Sequence, residues 1–472
     1  MAQHTPAAAA SPRNRPSSGD GGLLERLFHL SQYHTNVRTE LLAGLSTFLV
    51  MAYIIAVNPL VLNRDGTGLD ITQVATVTCL VAGVMTIIMG LYANRAIAIA
   101  PGLGINAIVS FTLAGSLGLS YPEAMGVIVT EGLVATALVL LGVRKWVLDL
   151  VPYTLKTAIA VGIGFFILFI GLRNAGIAVN LEDGTPTLAA LNTWPIFVTV
   201  VGLLLTVVLM VRGVRAGILI GILVATAVAF IVPDNVATWP SSPLSGPDFG
   251  LVGQFSFNYW GTLGGLTAVL VVFSILLADF FDTMGTLIGV GNRAGYLDAR
   301  GQLPDAQKPL LVDSVAAVAG GATSASSATS YIESLAGIEA GGRTGLVSVA
   351  TGVLFLLALP FVSLVSAIPA AATAPALIVV GILMAGALTQ PEAGTGRRLD
   401  LNDLEVGVPV VLTVLLMPLT YNITNGIGIG FLSYVLIKVA RGKAAQVPYG
   451  LFVVAAAFLV YFLRWALFDA QF

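Results

Sequence analysis

Long apolar segments recur along the whole chain and restrict its fold more than any other feature. Because a helix needs about 20 apolar residues to cross the hydrocarbon core, we predict an all-α polytopic membrane protein with fourteen spans. The composition, 57% hydrophobic and only 10% charged, does not suit a soluble globule. The predicted spans are residues 41–62, 71–91, 96–115, 122–143, 152–173, 190–211, 214–232, 262–290, 309–320, 325–342, 344–365, 367–389, 404–421 and 423–440.

Basic residues are distributed unevenly between the connecting loops. Lys and Arg favour cytoplasmic loops, so their positions predict the orientation of the chain. With a cytoplasmic N-terminus, only Arg64 and Arg173 fall in external loops, and the long external loop 233–261 has no basic residue. The predicted internal loops contain Arg95, Arg144, Lys145, Arg212, Arg215, Arg293, Arg300, Lys308, Arg343, Arg397, Arg398, Lys438, Arg441 and Lys443. We therefore expect a multi-pass protein of the cell membrane.

The two ends of the chain differ from its centre. Residues 1–22, rich in Ala, Pro, Ser and Gly, predict a disordered cytoplasmic tail, followed by an interfacial segment at 23–40. At the other end, 442–472 is a hydrophobic segment whose block 449–468 either crosses the membrane or lies along its surface. The near-neutral charge gives no basic field for nucleic acid, and the single Cys79 excludes an intramolecular disulfide.

A repeat relates the two halves of the chain. The stretch AGILIGIL at 216–223 matches NGIGIGFL at 425–432, with an offset of 209 residues. Seven spans is an odd number, so two such halves would cross the membrane in opposite directions. This arrangement is the inverted repeat of many secondary transporters, which bind substrate near the midplane between interrupted helices.

Spans 3 and 10 are the candidates for interrupted helices. In span 3, Pro101, Gly102 and Gly104 interrupt an apolar run just before Asn106, which either contacts a ligand or bridges the broken helices. Span 10, GGATSASSATSYIESLAGIEAGG, is too polar to face lipid. Its Ser330 and Glu333 have the S-x-x-E spacing of a capping box, which predicts that Ser330 caps a helix beginning inside the membrane.

Acidic side chains in apolar surroundings indicate where the function lies. In span 8, Asp279 and Asp282 are expected to share one helix face with Thr283 and Thr286. A charge at mid-membrane costs roughly 2.5–3.5 kcal/mol, so this face must point inward. Either Asp could instead form a structural hydrogen bond, but together with Glu333 they indicate one binding site. Asp313 in span 9 stands alone near the membrane edge, and we interpret it as structural.

Enzyme functions fit poorly. The stretch DTMGT resembles DKTGT of P-type ATPases, but no large soluble domain or phosphate-binding G-x-x-x-x-G-K-[ST] motif accompanies it. A membrane-embedded G-x-G-D, expected of an intramembrane aspartyl protease, is also absent from the sequence. We therefore expect a transporter and no enzyme, with no cofactor or metal.

Four motifs resemble those of the Azg-like purine permeases within the second nucleobase-cation symporter family. They are GLSTFLVMAYIIAVNP in span 1, APGLGINA in span 3, FFDTMGTLIGV in span 8 and TSYIESLAGIEAGGRTGL in span 10. The resemblance implies two inverted seven-span repeats, with short strands in spans 3 and 10. It also implies a core domain (41–143, spans 1–4, and 262–365, spans 8–11) and a gate domain (144–232, spans 5–7, and 366–441, spans 12–14).

The resemblance also implies a purine site and proton coupling. By motif, Asp282 and Glu333 would contact the base, Asn106 matches the span 3 motif, and Asp279 is a rival to Asp282; we add Thr283 and Ser330 to the predicted site. Asp282, Glu333 and Asp279 are the candidate proton carriers, since a desolvated carboxylate takes up a proton. The sequence does not determine which purine is preferred, whether sodium replaces H+ as the coupling ion, or whether the protein forms a homodimer. A same-fold carrier of sulfate or bicarbonate is the alternative, but an anion site would use Arg, Lys and helix N-termini rather than carboxylates.

Overall fold

The structure is a computed structural model that describes residues 22–63, 68–142, 151–180, 186–240, 246–297, 303–391, 396 and 398–468. The predicted tail therefore lies outside the described residues except for Gly22. The same holds for several basic loop residues used to predict the orientation, namely Arg64, Arg144, Lys145, Arg300 and Arg397.

Each predicted span corresponds to a helix or to a helix with a break or short strand. Spans 1 to 7 are Val37–Met51 with Ile54–Leu62, Ile71–Ile88 with Met89–Ala93, strand Ile99–Pro101 with Leu103–Ala107 and Ile108–Ser116, Tyr121–Leu140, Tyr153–Asn174, Trp194–Val211, and Gly217–Ile231. Spans 8 to 14 are Gly265–Ala294, Gln307–Ala322, strand Ala328–Ser330 with Ile332–Ser334 and Leu335–Glu339, Gly345–Leu357 with Leu359–Ala367, Ala370–Ala385 with Gly386–Thr389, Leu404–Leu419, and Ile423–Ala440.

A few elements lie outside the spans. The helices are Leu23–Phe28, Tyr259–Leu263, Ala444–Gln446 and Tyr449–Phe468. Among the described residues, strands β1 (Ile99–Pro101) and β4 (Ala328–Ser330) belong to spans 3 and 10, whereas β2 (Ala178–Asn180) and β3 (Pro186–Leu188) lie between spans 5 and 6. Strand β2 pairs with β3 in a hairpin, and β1 pairs with β4 across the two halves of the chain.

Eight of the described helices are long and apolar enough to cross a membrane, and the pair Gly345–Leu357 and Leu359–Ala367, bent by 63°, makes a ninth. The shorter segments of spans 3 and 10 are enclosed by protein, and every residue of their strands β1 and β4 is buried. Large apolar side chains such as Leu204 and Leu436 remain exposed on the outside of the bundle. Such an apolar surface suits contact with lipid.

The helices pack in two sets. Span 9 packs on span 4, span 11 on spans 1 and 2, and span 8 on span 4. In the other set, span 5 packs on spans 12 and 13, span 13 on span 14, and span 6 on spans 7 and 12. We use core for spans 1–4 and 8–11, and gate for spans 5–7 and 12–14; their division as separate domains stays a prediction.

The repeated glycine motif makes the same contact in both halves of the gate. A Cβ added to Gly221 would lie 1.9 Å from Thr206 Oγ1, and one added to Gly430 would lie 2.1 Å from Thr413 Oγ1. Each threonine donates its hydroxyl to the carbonyl four residues earlier, at 2.7 Å in both cases. The two glycines therefore allow equivalent close helix pairs, span 7 on span 6 and span 14 on span 13.

The C-terminal helix Tyr449–Phe468 lies against span 14. Phe458 contacts the backbone at Gly428, and the Tyr461 hydroxyl lies 3.5 Å from Asn425 Oδ1. Since the later residue of one helix meets the earlier residue of the other, the two helices run antiparallel. This packing favours a further membrane helix over one that lies in the interface.

Candidate substrate site

The pairing of β1 with β4 positions the candidate site. Ile99 is opposite Ser330 and Pro101 is opposite Ala328 in an antiparallel register. The Gly102 N–H donates to the Ser327 carbonyl at 2.8 Å, and the Tyr331 N–H donates to the Ala98 carbonyl at 2.9 Å. A helix begins directly after each strand, so two helix N-termini from opposite halves of the chain meet inside the bundle.

A cavity of about 80 Å³ lies at this meeting point, between core and gate. The core contributes residues from spans 1, 3, 8 and 10, and the gate contributes two apolar residues of span 12. The lining consists of Tyr53, Gly102, Leu103, Gly104, Asp282, Thr286, Thr329, Ser330, Tyr331, Ile332, Glu333, Val380 and Met384. This lining includes two carboxylates, and none of these residues is Lys, Arg or His.

Asp282 is the most available polar group of this cavity. Its side chain is accessible although it lies in the middle of the 30-residue helix of span 8. No hydrogen bond to another described residue engages its carboxylate. Gly285, one turn further, has open space in front of it, which keeps this part of the helix clear of side chains. Both Asp282 oxygens can therefore accept hydrogen bonds from a ligand.

Glu333 lies across the cavity and is held by span 1. Its Oε1 accepts a hydrogen bond from the Tyr53 hydroxyl at 2.7 Å. Tyr53 lies in the break between the two helices of span 1 and is 1% exposed. A buried tyrosine hydroxyl needs a partner, and this bond fixes the orientation of the Glu333 carboxylate.

The capping-box prediction for span 10 is wrong. The helix after β4 begins at Ile332 with Tyr331 as its N-cap, and no side-chain cap is formed. Ser330 is still part of the strand, and both its N–H and its hydroxyl donate to Asp313 Oδ1 at 2.7 Å. Glu333 is nevertheless in the first turn of that helix, as predicted.

Asp313 secures the strand behind the cavity. Besides the two bonds from Ser330, its Oδ2 accepts from the Thr283 hydroxyl at 2.6 Å. Thr283 in turn shares a hydrogen bond of 2.7 Å with Thr329 of β4. Both Asp313 oxygens are thus engaged, in keeping with the structural role predicted for this residue.

The predicted site residues do not all reach the cavity. Asp282, Glu333 and Ser330 line it, whereas Asp279, Thr283 and Asn106 do not. Asp279 and Asp282 were expected on one helix face. Residues three positions apart differ by about 60° around the helix axis and by about 4.5 Å along it. That offset turns Asp279 toward spans 4 and 9, where Ser327 donates to its Oδ2 at 3.3 Å.

Asn106 is fully buried in span 3, and neither atom of its amide has a hydrogen-bond partner among the described residues. It therefore neither lines the cavity nor bridges the broken helices by hydrogen bonding.

Sequence reasoning missed Tyr53 and Glu131. Glu131 lies within span 4 and is 0% exposed. Each is a polar side chain within an apolar block. For Glu131, its position as an acidic residue in an apolar span was the signal of a functional role that the sequence offered.

A second, open cavity of about 280 Å³ adjoins Glu333 from the other side. It lies between span 1, span 10 and the loop joining spans 6 and 7, and its lining includes Arg215 and Glu339. The positive charges of that loop predict that it faces the cytoplasm. Glu333 therefore lines both the cavity between core and gate and an opening on the predicted inner side.

The chemistry of the cavity between core and gate suits a neutral, flat ligand that presents N–H donors. Two carboxylates accept hydrogen bonds, the Thr286 hydroxyl can donate or accept, and the Ser330 hydroxyl, which donates to Asp313, can accept. Apolar atoms of Val380 and Met384 cover the remaining side. A ligand with polar edges and apolar faces would be matched by this lining.

Comparisons with known proteins agree on a transporter. The model of the Xan_ur_permease family, described as a permease family, matches residues 38–422. Adenine permease AdeQ of Escherichia coli (strain K12) is 39% identical over 445 residues, which cover 93% of this chain and 96% of the relative. Guanine/hypoxanthine permease PbuO of Bacillus subtilis (strain 168) is 39% identical over 438 residues, covering 92% of this chain and 99% of the relative.

Solved structures support the fold. The transmembrane domain of the cyanobacterial bicarbonate transporter BicA superposes with a TM-score of 0.62 at 15% identity, covering 82% of this chain and 97% of that chain. The murine Solute Carrier 26 family member A9 anion transporter, in its inward-facing state, gives 0.61 at 12% identity, covering 91% of this chain and 74% of that chain. The predicted fold of two inverted seven-span repeats is thereby confirmed.

Proposed function

Because the chain belongs to the Xan_ur_permease family of permeases, we propose that it imports purine nucleobases together with protons by alternating access. Its relatives include an adenine permease and guanine/hypoxanthine permeases, and we extend the purine class to this chain. The observation that carries the proposal is the cavity between core and gate with two carboxylates, one of which has no hydrogen-bond partner in the described part of the chain.

Recognition of the base follows from this lining. A purine edge presents N–H donors beside acceptor nitrogens, and a carboxylate can accept from two donors. We assign this contact to Asp282, with Glu333 as the second acceptor fixed by Tyr53. Asp282, Glu333 and Asp279 were the candidate proton carriers of the sequence, and of these Asp279 alone lies away from the base cavity.

Alternating access is supported by the size and location of the cavity. An engineered cavity of about 150 Å³ holds benzene, so a cavity of about 80 Å³ must widen to admit a two-ring purine. Its gate side is formed by Val380 and Met384 of span 12. Separation of the gate from the core would widen the cavity, and Glu333 would then border the route to the inner side.

Proton coupling supplies the driving force in this proposal. One positive charge entering at about 100 mV contributes about 2.3 kcal/mol, which corresponds to roughly fifty-fold accumulation of a neutral base. A pH gradient adds to this value. Two helix N-termini meet at this cavity, as in an anion carrier of the same fold, but the lining adds two carboxylates and no Lys, Arg or His, which disfavours an anion.

Uptake into proteoliposomes tests the proposal. Labelled adenine, guanine, hypoxanthine and xanthine are each offered under a pH gradient alone, a sodium gradient alone, and no gradient. We expect accumulation of at least one purine under the pH gradient alone. Accumulation of sulfate or bicarbonate without binding of any purine would contradict the proposed substrate class, and accumulation that needs only sodium would contradict proton coupling.

A further inference from the structure

A third, smaller cavity lies in the core, on the opposite side of strand β4 from the base cavity. Its volume is about 20 Å³, enough for a single water molecule. It is lined by residues of spans 4, 8 and 9. These are Glu131, Ala135, Val139, Asp279, Phe280, Thr283, Leu310, Asp313 and Ser314. Three carboxylates from three different helices therefore share one small enclosed space.

Glu131 distinguishes this cavity from a structural cluster. It is 0% exposed, and both of its carboxylate oxygens lack a hydrogen-bond partner among the described residues. Asp279 is 4% exposed, and its Oδ1 likewise has none. A buried carboxylate without donors is destabilising, so a residue that serves only packing has no reason to be a glutamate here.

The charges of this cavity need compensation. The titratable groups facing it are Glu131 from span 4, Asp279 from span 8 and Asp313 from span 9, while Asp282 lies one turn away toward the base cavity. Its lining contains no Lys, Arg or His. Like charges in a shared low-dielectric site cannot all remain ionised, and neighbouring carboxylates then share protons.

We propose that Glu131, Asp279 and Asp313 form the binding site of the coupling proton, separate from the base cavity. A proton needs only a pair of acceptor oxygens, and the three uncommitted oxygens of Glu131 and Asp279 provide them. A divalent cation with an octahedral shell would need six ligands, twice this number. Asp313 contributes through its nearness to the other two carboxylates and not as a free acceptor, because both its oxygens already accept hydrogen bonds.

The proton site communicates with the base cavity through β4. Asp279 accepts from Ser327 just before the strand, and Asp313 accepts from Ser330 at its end. Ser330 also lines the base cavity, so a change of charge behind the strand alters the position of groups in front of it. Both sites lie in the core, and the proton and the base would therefore move together. By linkage, protonation then strengthens base binding and base binding strengthens protonation.

This inference rests on the proposed proton symport and is tested with Glu131→Gln in proteoliposomes. The membrane potential is clamped to zero and the interior is one pH unit more alkaline than the medium. One proton per neutral base then gives about tenfold accumulation in the unmodified protein. For Glu131→Gln we expect an inside-to-outside ratio of base of about one, because a glutamine cannot release a proton. Exchange of labelled for unlabelled base at equal pH should continue.

Three further measurements make the test specific. Glu123→Gln, the same change in the first turn of the same helix and outside this cavity, should keep tenfold accumulation, since glutamine also fits a capping box. Glu131→Asp should restore accumulation above onefold, and an external pH indicator should report proton uptake with base for the unmodified protein and none for Glu131→Gln. If Glu131→Gln does not fold, Asp279→Asn is measured in the same way and should also give about onefold.

The outcomes separate this inference from the function on which it rests. Tenfold accumulation by folded Glu131→Gln, or by Asp279→Asn where that variant replaces it, overturns the proton site. Accumulation driven by sodium at equal pH overturns the identity of the ion. If the unmodified protein exchanges base but does not accumulate it under the pH gradient, the proposed symport itself is wrong.

Discussion

Asp282→Asn tests most directly whether the cavity between core and gate binds the base. The carboxylate is accessible and has no protein partner in the described structure, so its removal should alter ligand binding without altering the fold. A hydrogen bond to a charged group contributes about 1.5–3 kcal/mol, and the amide can replace only one of two accepted bonds. We therefore expect base affinity to fall about 10- to 150-fold.

Equilibrium binding of labelled base to purified protein is the assay, with thermal unfolding measured on the same sample. The free energy of unfolding should change by no more than about 0.5 kcal/mol, since no protein contact is lost. Asp234→Asn is the matched control, because Asp234 is exposed in the loop after span 7 and has a φ of 75°, which asparagine tolerates. Asp279→Asn should weaken binding less than Asp282→Asn does. Affinity within threefold of the unmodified value, in a protein with unchanged unfolding, would refute this site for the base.

Three further changes test other parts of the structure. Tyr53→Phe removes the 2.7 Å bond that orients the carboxylate of span 10, so base affinity should fall about tenfold, and an unchanged affinity would show that this bond has no role in binding. In a protein whose native cysteine has been replaced, a cysteine at Asn235 should react with an impermeant thiol reagent from outside and one at Ala445 should not; the reverse pattern would invert the predicted topology. Gly430→Ala brings a Cβ to 2.1 Å from a threonine hydroxyl in the gate, so transport should slow while base affinity changes less than tenfold, and loss of binding by a folded protein would contradict a gate without ligands.

Much of the fold could be predicted because each span crosses an apolar solvent and its hydropathy is a local property. The polar character of span 10 and the carboxylates of span 8 were visible for the same reason. The strands in spans 3 and 10 followed from the family resemblance alone, since three residues are too few for a periodic pattern. The capping-box prediction was wrong because a strand partner far along the chain holds Ser330 in extended conformation.

The site was less predictable because its contacts join distant residues. Tyr53 and Glu333 are 280 positions apart in the sequence, so no local sequence pattern predicts the hydrogen bond between them. Similarly, the i, i+3 spacing of Asp279 and Asp282 suggested one shared face, whereas the neighbours packed on either side decide which cavity each side chain enters. A search for the partner that neutralises each intramembrane acidic residue would have identified Glu131.

The pairing of β1 with β4 also determines when the site can exist during synthesis. Tyr331 and Pro101, which meet beside the strand pair, are 230 residues apart, so the ribosome has made most of the protein before the second strand is available. Thr86 of span 2 pairs with the N–H and the carbonyl of Ile99, but until then the rest of the strand lies at membrane depth without its partner β4, and lipid offers it no hydrogen bonds. We therefore expect the N-terminal half made alone to be a substrate for membrane quality control, because this segment acquires its strand partner when span 10 is made.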